Sequence, residues 1–216
     1  MITVISLAWQ IIANSQKSSR KGDWEVMDRA FHGVRIGAPI TTLQKIGLKP
    51  IDRSGSGAIK ITKYLLENGN AMSVTYDSVQ DRILYMEIDW NQQTSGMDLG
   101  LGALRFGSST LQQIRRLYKS NGFSYARHMM VPIADEIVAF NAFELNRTPT
   151  IIVVFITKLS RDLRQHIAGL PEDQQAIAKI GEHFTLDAVV VAGERYLDEI
   201  WGKDKVYDPK SMGIQL

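Results

Sequence analysis

Glu87 and Asp89 stand two residues apart, with Tyr85 two places ahead of them, in a run over residues 82–90 that reads as a strand. Alternate residues of a strand share a face, so Tyr85, Glu87 and Asp89 point the same way. Paired carboxyls on one face can do acid–base chemistry, one giving up a proton while the other stays charged. Nothing in the surrounding sequence indicates the burial that would raise a carboxyl pKa, and a wet sheet face accounts for all three residues. The expectation is a binding surface, not a catalytic pair.

A second group follows. Arg105, Arg115, Arg116, Lys119, Arg127 and His128 are interleaved with Phe106, Tyr118, Phe123 and Tyr125. Cations grip phosphates and aromatic rings stack on bases, so the mixture fits a nucleic acid or another acidic partner. Helical spacing gives the plainer explanation: Arg115, Arg116 and Lys119 form a solvated helix face. Nucleic-acid binding is therefore the alternative to a protein partner. The candidate binding residues from both groups are Tyr85, Glu87, Asp89, Arg115, Arg116, Lys119 and Arg127.

No other chemistry is legible. His32, His128, His166 and His183 lack metal-ligand spacing. Gly100-Leu101-Gly102 and Gly107 do not sit between a strand and a helix of a βαβ unit, and Ser54 and Ser56 do not occupy a Gly-x-Ser-x-Gly elbow. The chain has no cysteine, which excludes disulfides, thiolate nucleophiles and thiolate metal sites. A net charge of +2 makes no electrostatic demand on a partner. Catalytic residues, cofactors and metals are accordingly not expected. The role implied is noncatalytic, that of a binding or scaffold protein; a small hydrolase or ligand-binding domain built from distant residues is a third possibility.

The elements that position these residues repeat. Val34-Arg35-Ile36-Gly37 followed by Thr42-Leu43-Gln44-Lys45-Ile46 returns as Leu104-Arg105-Phe106-Gly107 followed by Thr110-Leu111-Gln112-Gln113-Ile114. Thr41 or Thr42 can cap a short helix to Ile46, ended by Gly47 and Pro50; Thr110 begins a longer one to Tyr118, with Leu111, Ile114 and Leu117 inward. Residues 53–57 read as a flexible turn. Strands are predicted over 58–66, 71–76 and 82–90, with hairpin-like turns at Asn68-Gly69-Asn70 and 77–81. Strict alternation puts Ile83 with Tyr85, Glu87 and Asp89, opposite Leu84, Met86, Ile88 and Trp90. Further strands are predicted over 123–131, 136–145 and 150–157, the last buried on both faces. Helices are expected near 24–31, 171–182 and 186–201, the last capped by Thr185 and able to cover the Tyr85 face.

Residues 2–13 are mostly apolar and residues 14–22 polar and basic. That run is too short for a transmembrane span, which takes about 20 apolar residues. It fits either the remainder of an export signal, which would make the protein periplasmic or exported, or a core-packing segment, which implies a cytoplasmic protein.

The string Ile36-Gly37-Ala38-Pro39-Ile40-Thr41-Thr42-Leu43-Gln44-Lys45-Ile46-Gly47-Leu48-Lys49-Pro50 resembles the opening of the SmpA/OmlA-like small lipoprotein module. The resemblance implies a Ser/Thr-capped helix followed by a small antiparallel sheet. A tandem pair of such modules is the architecture of the β-lactamase inhibitory protein family, whose sheets make a concave protein-binding surface. The resemblance carries architecture and a binding role, with no inhibitory residue assigned. The expected fold is therefore α+β: an apolar N-terminal segment and linker (1–22), two tandem helix-plus-antiparallel-sheet modules (23–94 and 95–158) and a helical C-terminal extension (159–216).

Overall fold

The computed structural model describes residues 31–93, 103–126, 130–133, 136–145, 149–159 and 181–207. The expected helices over 24–31 and 171–182 lie almost wholly outside these residues, as do the apolar N-terminal run and Arg127.

Within them the chain forms α1 (Thr41–Lys45), β1 (Pro50–Ser56), β2 (Ile59–Leu65), β3 (Ala71–Asp77), β4 (Arg82–Asp89), α2 (Leu111–Leu117) and β5 (Phe123–Tyr125). It continues through β6 (Met130–Ile133), β7 (Glu136–Leu145), β8 (Ile151–Leu159), β9 (Phe184–Gly193), α3 (Glu194–Trp201) and β10 (Lys205–Tyr207). All ten strands join one antiparallel sheet in the order β1-β2-β3-β4-β9-β8-β7-β5-β10, with β6 pairing to β7.

This corrects the expected fold. The helices described are three short ones, and the strands form a single ten-stranded sheet rather than two helix-plus-sheet modules with a helical extension. The element that overturns the expectation is β9, placed in the first half of a predicted helix over 186–201. Ala188-Val189-Val190-Val191-Ala192 is apolar without a break and centred on valines, whose branched Cβ favours a strand. A continuous apolar run suits a strand buried on both faces, and all five residues are buried. β9 lies between β4 and β8 and so makes the sheet continuous. Only the last part of that segment, Glu194–Trp201, is helical.

Smaller corrections have local causes. Residues 53–56 belong to the edge strand β1 and not to a flexible turn. Pro50, Asp52 and Arg53 are edge residues that discourage further strand pairing, and β1 is exposed along its length. At the end of that hairpin Gly55 has φ +102°, and a Cβ there would lie 2.5 Å from the Ile59 carbonyl oxygen. α1 starts without a side-chain cap, so neither threonine caps it. α2 has the full capping box: Thr110 Oγ1 accepts from the Gln113 amide and Gln113 Oε1 accepts from the Thr110 amide. Leu117, expected inward, is exposed, because the helix buries only Leu111 and Ile114. The expected strand over 123–131 is divided into β5 and β6.

Two bulges break strict alternation. Thr75 pairs with Tyr85 and Tyr76 with Ile83, which leaves Leu84 as the extra residue. Ile156 pairs with Ala188 and Thr157 with Leu186, which leaves Asp187 as the extra residue. The first bulge moves Ile83 away from the Tyr85 side and into the core beside Met86 and Ile88. Each bulged strand is held by one of the two similar strings. Gly37 donates to the Ile83 carbonyl at 2.7 Å, and the Ile83 amide donates to the Ala38 carbonyl at 2.9 Å. Gly107 donates to the Leu186 carbonyl and the Leu186 amide to the Ser109 carbonyl, both at 2.8 Å.

The sheet separates two cores. Met72, Val74, Met86, Ile88, Val153, Phe155, Val189 and Val191 face α1 and α2, which add Leu43 and Ile114. Ile152, Val154, Ile156, Ala188, Val190 and Ala192 face α3, which adds Leu197 and the partly buried Trp201. The second face is apolar only on the β7–β9 side; across β2, β3 and β4 it turns polar.

Candidate functional site

The polar half is built row by row. Lys63, Ser73, Glu87 and Val190 lie in register across β2, β3, β4 and β9. The row on one side holds Thr75, Tyr85 and Ala192, and the row on the other holds Ala71, Asp89 and Ala188. Tyr85, Glu87 and Asp89 therefore share a face, as their spacing predicts. Lys63, Ser73 and Thr75 join them there, although no motif marks these residues in the sequence.

Their surroundings differ from those of a wet surface. All three are half-buried, while Ser73 and Thr75 are buried. Tyr196, brought over the sheet by α3, meets the Tyr85 ring edge-on at 6.2 Å, and its side chain hydrogen-bonds Thr75. The Tyr85 hydroxyl donates to Glu87 Oε2 at 2.7 Å, and the Glu87 and Asp89 carboxyls are hydrogen-bonded to each other.

Burial, followed by the charge of Asp89, pushes the Glu87 carboxyl up to about 7. Asp89 is also raised, again by burial, while the ammonium groups of Lys63 and Lys158 draw it back down. Burial and the neighbouring Glu87 charge raise the Tyr85 hydroxyl, so it remains a donor. The hydrogen bond between the two carboxyls favours the protonated form of Glu87 and the ionised form of Asp89. The expectation of a wet face without carboxyl burial does not hold, because both carboxyls are half-buried and lie beside each other.

An ion-pair chain adjoins the site. Lys158 lies 3.0 Å from Asp187 and 3.1 Å from Glu136, and Asp187 is the bulged residue of β9. Its carboxyl is raised by burial and held down by Lys158. The bulge signal was absent from the sequence, so these partners were not foreseen.

The basic group lies on the opposite side, where α2 packs through Ile114 into the other core. Arg116 and Lys119 are exposed, whereas Arg115 is half-buried and its Nε donates to Asn141 Oδ1 at 3.2 Å. The aromatic residues interleaved with these cations point inward. Phe106, Phe123 and Tyr125 are buried, and Tyr118 packs against Phe143 and Phe155 at 5.4 Å. The two groups of candidate residues are not brought together. Among the described residues, no group of three or more His, Cys, Asp or Glu is placed to hold a metal ion. No helix among them is long and apolar enough to cross a membrane.

No protein-family model matches the chain, and no curated protein matches it. Among solved structures, it is similar to a cysteine-rich secretory protein from Staphylococcus aureus subsp. aureus Mu50, with a TM-score of 0.44 and 12% identity. The match covers 84% of this chain and 50% of that one, so the chain spans about half the length of that structure.

Proposed function

We propose that this is a noncatalytic binding protein that receives another protein on the polar half of its sheet, around Tyr85, Glu87 and Asp89. One observation carries the proposal: the face is divided, with α3 on the apolar side and a fixed array of hydroxyl, carboxyl and ammonium groups on the other. Lys63, Thr75, Tyr85, Glu87 and Asp89 sit on adjacent strands, so their spacing is set by the pairing. Side chains held on a rigid sheet lose little freedom on binding, which favours affinity. Exposed Leu65 on β2 and Ile200 on α3 add apolar contact at the margins.

The test is site-directed crosslinking in an extract of the source organism. A photoreactive residue at position 63 is expected to capture one defined partner, while the same residue at position 117, on the other side of the sheet, captures none of it. Equal capture from both positions rejects the assignment of the face.

A second reading rests on the Glu87 carboxyl. A carboxyl pushed up to about 7 and hydrogen-bonded to a second carboxyl can act as a general acid. If it performs catalysis, turnover must disappear in Glu87→Gln while partner capture remains.

A further inference from the structure

We propose that β5, β7 and α3 form an ammonium-binding site, separate from the polar half of the sheet, which the chain fills with its own Lys205, so that β10 acts as an autoinhibitory strand. The Lys205 ammonium lies over two rings, 5.1 Å from the centre of Phe123 and 5.9 Å from that of Tyr125. It donates to Glu194 Oε1 and lies 3.5 Å from Glu144 Oε1. Two ring faces and two carboxylates, drawn from three elements, thus surround one charge whose side chain is 11% exposed.

The ordinary explanation is an ion pair that fastens the last strand, and a single carboxylate would serve for that. Here the walls are also fixed by contacts that do not involve Lys205. The Tyr125 hydroxyl donates to Asp198 Oδ1 at 3.2 Å, and its ring meets Trp201 edge-on at 5.5 Å. Phe123 meets Tyr125 edge-on at 5.6 Å, and Glu194 hydrogen-bonds the Thr150 side chain. Walls arranged in advance lose little freedom when a cation enters. The strand that brings the cation is held less extensively: β10 pairs with β5 over three residues, at the end of the sheet. Opening of so short a terminal strand needs little of the molecule to unfold. Glu144 and Glu194 are 31% and 32% exposed, so both carboxylates are reachable from solvent.

The chemistry selects the ligand class. A primary ammonium is a compact charge that can sit over ring faces and give separate hydrogens to two carboxylates, whereas a guanidinium fork is planar and suits one carboxylate at a time. Lys205 displays the ligand itself, an ammonium on an aliphatic stem carried by a strand antiparallel to β5. The site therefore takes a primary alkylammonium, whether a small amine or the lysine of an extended segment that replaces β10.

Lys205→Ala vacates the site, and the full chain carrying it is to be titrated with n-butylammonium chloride and with a capped peptide of residues 204–207, with n-butanol and sodium chloride as controls. At tenfold over its dissociation constant n-butylammonium is expected to raise the melting temperature by about 3 °C, and neither control to do so. Adding Glu144→Gln and Glu194→Gln should abolish the rise. The unaltered chain should bind neither probe, because its tethered Lys205 outcompetes them. Peptide binding about tenfold or more tighter than that of n-butylammonium identifies a lysine on a strand; equal binding identifies a small amine. If Lys205→Ala does not fold alone, its refolding yield with n-butylammonium against n-butanol replaces the melting temperature. No gain from n-butylammonium over n-butanol in either measurement, or equal binding by the unaltered chain, overturns the proposal.

Discussion

The Tyr85 hydroxyl lies 2.7 Å from Glu87 Oε2, donated along one face of β4 to a carboxyl that is itself bonded to Asp89. Tyr85 occupies one Glu87 oxygen and Asp89 is hydrogen-bonded to the same carboxyl, with the ammonium groups of Lys63 and Lys158 acting on Asp89. That arrangement makes the site sensitive to charge and gives it a distinct pH signature.

Glu87 is raised from its ordinary value of 4.5 to about 7. A carboxyl raised on folding contributes stability below the unfolded value that is lost as pH rises through the folded one. Between about pH 4.5 and 7 the folded protein thus loses on the order of 3 kcal/mol from this group. Glu87→Gln keeps both hydrogen bonds, its oxygen accepting from Tyr85 and its amide donating to Asp89. Urea denaturation across this range is expected to show a flatter pH dependence for the variant. Identical slopes would mean that Glu87 titrates normally.

Gly37 and Gly107 hold their strands alike but differ in surroundings. A Cβ on Gly107 would lie 2.4 Å from the Trp90 ring, whereas one on Gly37 meets nothing within 4 Å. Both have positive φ, +68° and +84°. Gly37→Ala should cost about 1 kcal/mol from backbone strain, and Gly107→Ala about 2–4 kcal/mol through the added clash. Equal losses on chemical denaturation contradict this account of the Trp90 contact.

β9 is central, so its amides should exchange among the slowest in the molecule. Alanine is a better helix former than valine, yet Val190→Ala should destabilise by about 2 kcal/mol because it empties a buried strand position. Rapid exchange over residues 188–192, or a stabilised variant, would restore the helix expected there.

On α2, Ile114 is fully buried and Leu117 is 47% exposed. Ile114→Ala should cost about 2–5 kcal/mol, and Leu117→Gln about 0.5 kcal/mol or less. Thermal denaturation of the two variants distinguishes this packing from the helical face inferred from spacing alone.

Much of the sheet was legible. Asn68-Gly69 marked the β2–β3 hairpin, alternation located β3 and β4, and the apolar run over 151–156 read as buried β8. The helix expected from Thr110 to Tyr118 is α2. What escaped depended on distant contacts. The run over 188–192 is short enough to suit a buried helix turn or a strand, and only its place between β4 and β8 decides. The bulges at Leu84 and Asp187 leave no local mark. The face shared by Tyr85, Glu87 and Asp89 followed from spacing, but the contact of Tyr196 with Tyr85 depends on α3 following β9, which spacing does not show.

The central claim is that the polar half of the sheet receives a protein partner, and affinity for the crosslinked partner tests it most directly. Binding of the purified partner should be measured for the unaltered protein and for Glu87→Gln with Asp89→Asn, under conditions where both are fully folded. The account predicts at least a tenfold loss of affinity, as expected when charged hydrogen-bonding groups leave an interface. An affinity unchanged by removing both carboxyls would contradict it.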